Sequence, residues 1–306
     1  METLTKPARN YTDIYQEVTE TVIKSLEEGT AIWQCSWNNY GLPKNAVTNT
    51  FYRGWNVFLL NFHTLKHHYV TSNYLTYKQA NQLGGTIRKG EKGIKIIYWA
   101  TIQLKDKEKE PAIEISNHLD EKRPVKLVPK VHTVFNIDQS EGIEFEKSEV
   151  IILSHLDKID NCESVINAMP LPPKINTNGD NAYYNMRTDS VVVPSLNKST
   201  SAEEYYSTLF HELAHSTGHE SRLNRKDLLE HDGFGKTNYA KEELTAEMTA
   251  AYLCAITGIG QPTIANSAAY INNWLKAFKN DKRVVINAAS QAQKAADYII
   301  AIKTAY

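Results

Sequence analysis

The segment FHELAH, residues 210–215, limits this chain more than any other. H-E-x-x-H calls for a helix, because histidines at i and i+4 lie one above the other on one helical face, and from there both imidazoles reach a single metal ion. Glu212 follows the first histidine, so it sits beside the ion rather than on it, where it can accept a proton from a water. The helix is locally well specified. Tyr206, Phe210, Leu213, Ala214 and Thr217 repeat at helical spacing, which sends one face to a core and turns His211 and His215 toward a cleft. Ser201 and Glu204 form a capping box at its start, and Gly218 stands where a helix-ending glycine would. These residues predict a metallopeptidase-type site for one Zn²⁺, with His211 and His215 as ligands and Glu212 as the catalytic base; other divalent ions suit the same donors.

A third ligand is required. The extended pattern H-E-x-x-H-x-x-G-x-x-H fails here: Gly218 fits, but Ser221 occupies the third histidine position and His219 is out of register. The remaining route is a carboxylate on a later helix, giving a gluzincin-like His₂Glu site. In EELTAE, residues 242–247, Glu243 and Glu247 lie one turn apart, off the apolar face of Leu244, Met248, Ala251, Tyr252 and Ala255. Glu243 is read as the ligand and Glu247 as the partner that orients a histidine, with the opposite assignment left open. Tyr239 and His231, between the two ligand helices, are the candidates to stabilise a developing oxyanion. The strand Ser190–Pro194 is the candidate edge for an extended substrate.

The chain has 306 residues, 42% hydrophobic and 23% charged, enough for two globular domains. Periodicity predicts helices over 11–28, 54–67 and 77–83, strands over 87–104 and 132–137, and a charged hairpin tip or loop over 105–126. A linker near 146–150 divides the chain into residues 1–145 and 146–306. Beyond it come a hairpin over 183–194 and helices near 201–217, 240–257, 266–279 and 283–304. The expected class is α+β in both parts: a small, mostly antiparallel sheet with helices, then a short sheet beside the metal helix. No apolar run nears the roughly 18 residues that span a bilayer, and the first ten residues lack the apolar stretch of a signal peptide. Cys35, Cys162 and Cys254 are far apart, which points to free thiols in the cytoplasm rather than a disulfide frame.

Net charge is −1 overall, with the positive excess in the first 130 residues. That half interleaves aromatic with basic side chains: Trp33, Trp37, Tyr52, Arg53, Trp55, Tyr77, Lys78, Arg88, Lys89 and Lys92. Rings that stack on bases beside cations that hold phosphates are how a single-strand binder is composed. The glycine turns Gly84-Gly85 and RKGEKG (88–93) would let such a strand approach the backbone. The same residues also suit an ordinary core and solvated surface.

The motifs YRGWNV (52–57), YLTYKQA (74–80), LGG (83–85), RKGEKG (88–93) and VFNIDQ (134–139) are followed by YY (205–206), LFHELAHSTGH (209–219), RL (222–223), YAKEELTAE (239–247) and AQKAADY (292–298). In this order the chain resembles the ArdC antirestriction proteins of conjugative plasmids and other mobile elements. The resemblance implies an N-terminal domain that binds single-stranded DNA, a C-terminal zincin-like metallopeptidase domain, and protection of incoming single strands from restriction. It leaves open a DNA-localised peptidase that processes a protein or peptide substrate, and a binding module whose zinc is structural. Oligomeric state is not read from these residues.

Overall fold

The computed structural model describes residues 12–34, 41–103, 125–145, 153–229, 237–260 and 267–302. The expected tip over 105–126 lies almost wholly outside them, as do the expected linker at 146–150, Cys35, Trp37 and His231.

The chain opens with α1 (Thr12–Glu27), then β1 (Lys44–Asn45), α2 (Trp55–Lys66), β2 (Asn73–Leu75), α3 (Tyr77–Gln82), β3 (Thr86–Ile87), β4 (Ile94–Gln103), β5 (Val125–Asn136) and β6 (Ser140–Glu141). One sheet has the order β1-β2-β5-β4, with only the short β1–β2 pair parallel. Its backbone is the long antiparallel β4–β5 ladder, which runs from Ile94↔Val134 to Gln103↔Val125. The two strands expected over 87–104 are present but do not form a hairpin with each other, since β3 pairs with β6 instead. Asn56 fixes α2 on this sheet: its amide donates to the Ile97 carbonyl at 2.6 Å and accepts from the Ile97 N–H at 2.9 Å. A buried side chain thereby answers two strand groups that would otherwise be costly to bury.

Gly85 and Gly93 of the glycine turns serve packing within the chain. A Cβ on Gly93 would meet the Thr133 methyl at 2.5 Å, and one on Gly85 would meet the Glu141 carbonyl at 2.4 Å. Both glycines let two segments of this chain approach each other.

The second half runs α4 (His155–Ala168), β7 (Lys174–Asn176), β8 (Tyr183–Asn185), β9 (Ser190–Val192), α5 (Ala202–Ser216), α6 (Lys226–Leu229), α7 (Thr237–Thr257), α8 (Ser267–Asn280) and α9 (Val284–Ile299). The small sheet has the order β7-β9-β8. The strand expected to offer an edge, Ser190–Pro194, contains β9, which is the central strand and has partners on both sides; β8 is the edge beside the cleft. Gly218 also acts differently from expectation. It does not have the left-handed backbone of a C′ glycine, but a Cβ there would meet Leu228 at 2.7 Å and the Arg225 guanidinium at 3.0 Å.

The two halves share one continuous core. The α1 stripe Ile14, Val18, Val22 and Leu26 is buried as its spacing predicts, and part of its cover comes from the C-terminal helices. Thr19 donates to the Lys282 carbonyl, and Arg283 lies over the Tyr15 ring. Trp33 meets Trp274 edge-on at 5.3 Å and Phe58 meets Tyr252 at 4.7 Å. The Tyr252 hydroxyl donates to the Gly54 carbonyl. Cys162 and Cys254 are buried free thiols. No helix among the described residues is long and apolar enough to cross a membrane.

Candidate metal centre

Helix α5 starts at Ser201, whose hydroxyl accepts from the Glu204 N–H at 3.1 Å. The Glu204 carboxylate does not complete the box; it turns outward to the Thr200 N–H and hydroxyl. Tyr206, Phe210, Leu213, Ala214 and Thr217 are all buried, as the helical spacing requires. Helix α7 packs against α5 and is buried on nearly every side, so Glu242, Glu243 and Glu247 are also buried. Three carboxylates inside a helix bundle cost several kcal/mol each unless opposite charge or hydrogen bonds answer them.

Two histidines and a guanidinium answer them. His211 Nε2 and His215 Nε2 lie 3.1 Å apart. The two Glu243 oxygens lie 3.5 Å from His211 Nε2 and from His215 Nε2. Donors about 2.0–2.2 Å from a tetrahedral ion sit roughly 3.3–3.6 Å from each other, so the observed triangle is the size of one coordination sphere. Among the described residues His211, His215 and Glu243 are the only such group of three. His219, the out-of-register histidine, is half-buried and bonds Ser221 instead.

Outside the triangle, Glu247 lies 3.5 Å from His211 Nδ1. His215 Nδ1 donates to Glu242 Oε1 at 3.1 Å, which leaves the Nε2 lone pair turned to the triangle. Glu242 is in turn gripped by Arg225, whose Nε donates to Oε2 at 3.0 Å and whose Nη2 donates to Oε1 at 2.5 Å. Arg225 also donates to the Thr217 hydroxyl and the Ala214 carbonyl, so it ties the end of α5 to α7. Sequence reasoning missed both Glu242 and Arg225. The adjacency of Glu242 to Glu243 was a signal; Arg225 lies in an irregular segment and gave none.

The charge balance of the cluster calls for a cation. Burial would depress the His211 pKa, but Glu243, Glu247 and Glu212 outweigh it and push it up to about 10. Burial likewise opposes, and Glu243 and Glu242 overcome, a rise at His215. Glu243 is held down at about 2 because both histidines outweigh its burial. A divalent ion competes for the same electrostatic preference that here draws protons.

Glu212 is buried and lines a cleft of about 250 Å³ with His211, His215, Glu243, Tyr239 and the β8 residues Tyr183 and Tyr184. Tyr239 hydrogen-bonds Glu243, so its hydroxyl is engaged beside the ligand set. Of the lining residues, Tyr184 donates to Asp189, which Arg222 grips at 2.9 and 2.7 Å while also donating to the Ser216 carbonyl.

The N-terminal candidates scatter. Trp33 is fully buried and Trp55 nearly so, both within the shared core, so neither offers a ring face to a base. This corrects their reading as stacking residues. Tyr52 is half-buried against Tyr74 at 6.4 Å. Tyr77, Lys78, Arg88, Lys89 and Lys92 are exposed around α3 and the turn after β3, with Arg88 paired to Glu91 at 2.9 Å. Arg53 is bound to Asp297 of α9. Trp99, absent from the strongest sequence candidates, is exposed on β4.

Residues 12–135 match a family described as the N-terminal domain of anti-restriction factor ArdC, and residues 161–291 match zincin-like metallopeptidases. The crystal structure of antirestriction protein ArdC from plasmid R388, metal-free, superposes with a TM-score of 0.72 at 35% identity, covering 94% of this chain and 96% of that one. Its Mn(II)-bound structure gives 0.73 at 34% identity, covering 93% and 96%. The Sinorhizobium fredii protein y4eC is 32% identical over 94% of this chain and 92% of its own length. A DNA primase TraC of Escherichia coli is 34% identical over 94% of this chain, which spans only 20% of that relative.

Proposed function

We propose that this chain, which belongs to the ArdC family of antirestriction proteins, binds single-stranded DNA and shields it from restriction, and that its C-terminal half holds a divalent metal, Zn²⁺ in the cell. The observation that carries the family-based reading is the pairing, in one chain and one order, of an ArdC N-terminal match with a zincin-like match. The partner is DNA in its unpaired form, because aromatic side chains beside cations grip exposed bases and phosphates without needing a sequence.

For the metal, the donor triangle of 3.1, 3.5 and 3.5 Å fits one ion held by His211, His215 and Glu243. Bound there, the ion would supply Lewis acidity and make a water acidic near neutral pH. The remaining work belongs to the chain. Glu212, on the cleft wall, accepts a proton as general base and returns it to a leaving group. Glu242 keeps the His215 proton on Nδ1, and Tyr239 braces Glu243. The β8 edge beside the cleft could accept an extended peptide as an added strand.

A second reading, a DNA-localised peptidase with a protein substrate, draws on the same three-donor arrangement. Structural zinc is generally closed by four protein ligands, whereas a catalytic site leaves one position open, and Glu212 stands beside this one. The direct test of the DNA reading is anisotropy of a labelled single strand against its duplex over a salt series. Tighter binding of the single strand that weakens steeply with salt is expected. Equal or absent binding of both forms at low salt removes the shielding reading and leaves the peptidase.

A further inference from the structure

The β4–β5 ladder extends beyond the helix that covers it. On one face, Leu60 of α2 and Tyr74 of β2 pack against Ile96 of β4 and Val134 of β5 and bury them. Residues directly opposite each other in a ladder share a face, and every second residue along a strand returns to it. The register Ile96↔His132, Tyr98↔Lys130 and Ala100↔Val128 therefore puts these six side chains on that same face. Past Ile96 the cover stops, among the described residues. Tyr98 is 58% exposed, and Lys130 and His132 are exposed beside it. The His132 ring meets the Tyr98 ring edge-to-face at 6.1 Å, which steadies the phenol on its strand.

A ring left in water on an open sheet face is the arrangement on which unpaired bases stack, because every base has a π-face and stacking needs no particular sequence. Ala100 and Val128, the next pair along the ladder, are short, so a flat ring can lie across the strands there. The charge on this face is complementary to a phosphate. Neither segment, 94–100 or 128–134, contains an acidic residue. Lys130 has no ion pair among the described residues. Directly opposite residues have Cβ atoms about 4.5–5.5 Å apart, so the long Lys130 side chain reaches a phosphate beside a base stacked on Tyr98. The opposite face of the ladder serves the fold instead: Lys95 is held by Glu17 at 3.0 Å, and Ile97 is buried. A base within a duplex is paired and stacked on both faces and cannot lie on Tyr98; an unpaired base can.

We infer that this open face of the β4–β5 ladder is a stacking platform for single-stranded DNA, with one base on Tyr98 and a neighbouring phosphate on Lys130. The platform shares no residue with the metal cleft, so a strand held there leaves that cleft open. This inference rests on the single-strand reading above and places it on named residues.

The test uses the full-length protein and a labelled oligothymidylate over a salt series. Tyr98→Ala is expected to bind at least about fivefold more weakly, and Tyr98→Phe, which keeps the ring, to recover most of that loss. Lys130→Ala is expected to lower the salt slope by about 0.7, the amount for one phosphate contact on a single strand. Thr133→Ala, at an exposed position on the opposite face, is expected to bind as the wild type does. Melting curves matching the wild type separate these effects from misfolding, and recovery in Tyr98→Phe does so independently. If the wild type binds but Tyr98→Ala and Lys130→Ala match it in affinity and slope, the platform assignment is wrong. Loss in Trp99→Ala with Tyr98→Ala unimpaired would move the strand to the opposite face and equally overturn it. If the wild type binds no single strand, the underlying reading fails and the platform assignment falls with it.

Discussion

Glu242, Glu243 and Glu247 show how residue-scale chemistry constrains the site. All three are buried on one helix, and each has a named counter-group: Arg225 with His215, the histidine pair, and His211. Removing Arg225 alone strands a buried carboxylate. Arg225→Met should cost about 3–5 kcal/mol in denaturant unfolding, and adding Glu242→Gln should return much of it. The double variant should still bind metal about 10–100-fold more weakly, since His215 loses its ionised orienting partner; chelator competition reads this directly, and unchanged affinity would deny Glu242 that role. The pH dependence follows from the same cluster. His211 rises from 6.5 to about 10 on folding, so in metal-free protein its stabilisation is complete below about 6.5 and is lost as pH climbs through 10. Melting temperature of the chelator-treated protein should fall across that window, and His211→Gln should flatten the fall. Metal, which must displace that proton, should bind more tightly over the same rise. The histidine pair and Glu212 were legible in the sequence because their spacing is local to one helix. Glu242 and Arg225 were not, because Arg225 stands outside any helix or strand, where no periodic pattern marks its partner.

At the scale of elements, amphipathic stripes predicted which faces are buried but not what covers them. The spacing of Ile14, Val18, Val22 and Leu26 marked a buried face on α1; only the structure shows the C-terminal α8 and α9 packed against that helix. The run Val191 to Val193 read as a strand, yet sheet order depends on long-range pairing, and β9 is central where an edge was expected. Aromatic composition misled in the same way: Trp33 and Trp55 looked available for stacking and are core, while Trp99 is exposed. Trp274 should be decisive for the join between elements. It stacks edge-on with Trp33 and donates to the Ala240 carbonyl at 3.1 Å. Trp274→Ala should destabilise the protein by about 3–5 kcal/mol, measured by urea unfolding. A cost below about 1 kcal/mol would mean that α1, α7 and α8 are not packed through it.

For the whole molecule, one core joins two family modules. Calorimetry should therefore show a single cooperative transition, with metal raising its midpoint; two separated transitions would show independent halves. The central claim is that this protein protects DNA by holding it, with the metal site serving a distinct step. The most direct measurement is survival of unmodified DNA transferred into restricting cells, scored against non-restricting cells, with wild type, Glu212→Gln and Tyr98→Ala. The account predicts that Glu212→Gln protects as well as the wild type while Tyr98→Ala loses protection. Loss of protection in Glu212→Gln, with Tyr98→Ala unimpaired, would contradict it.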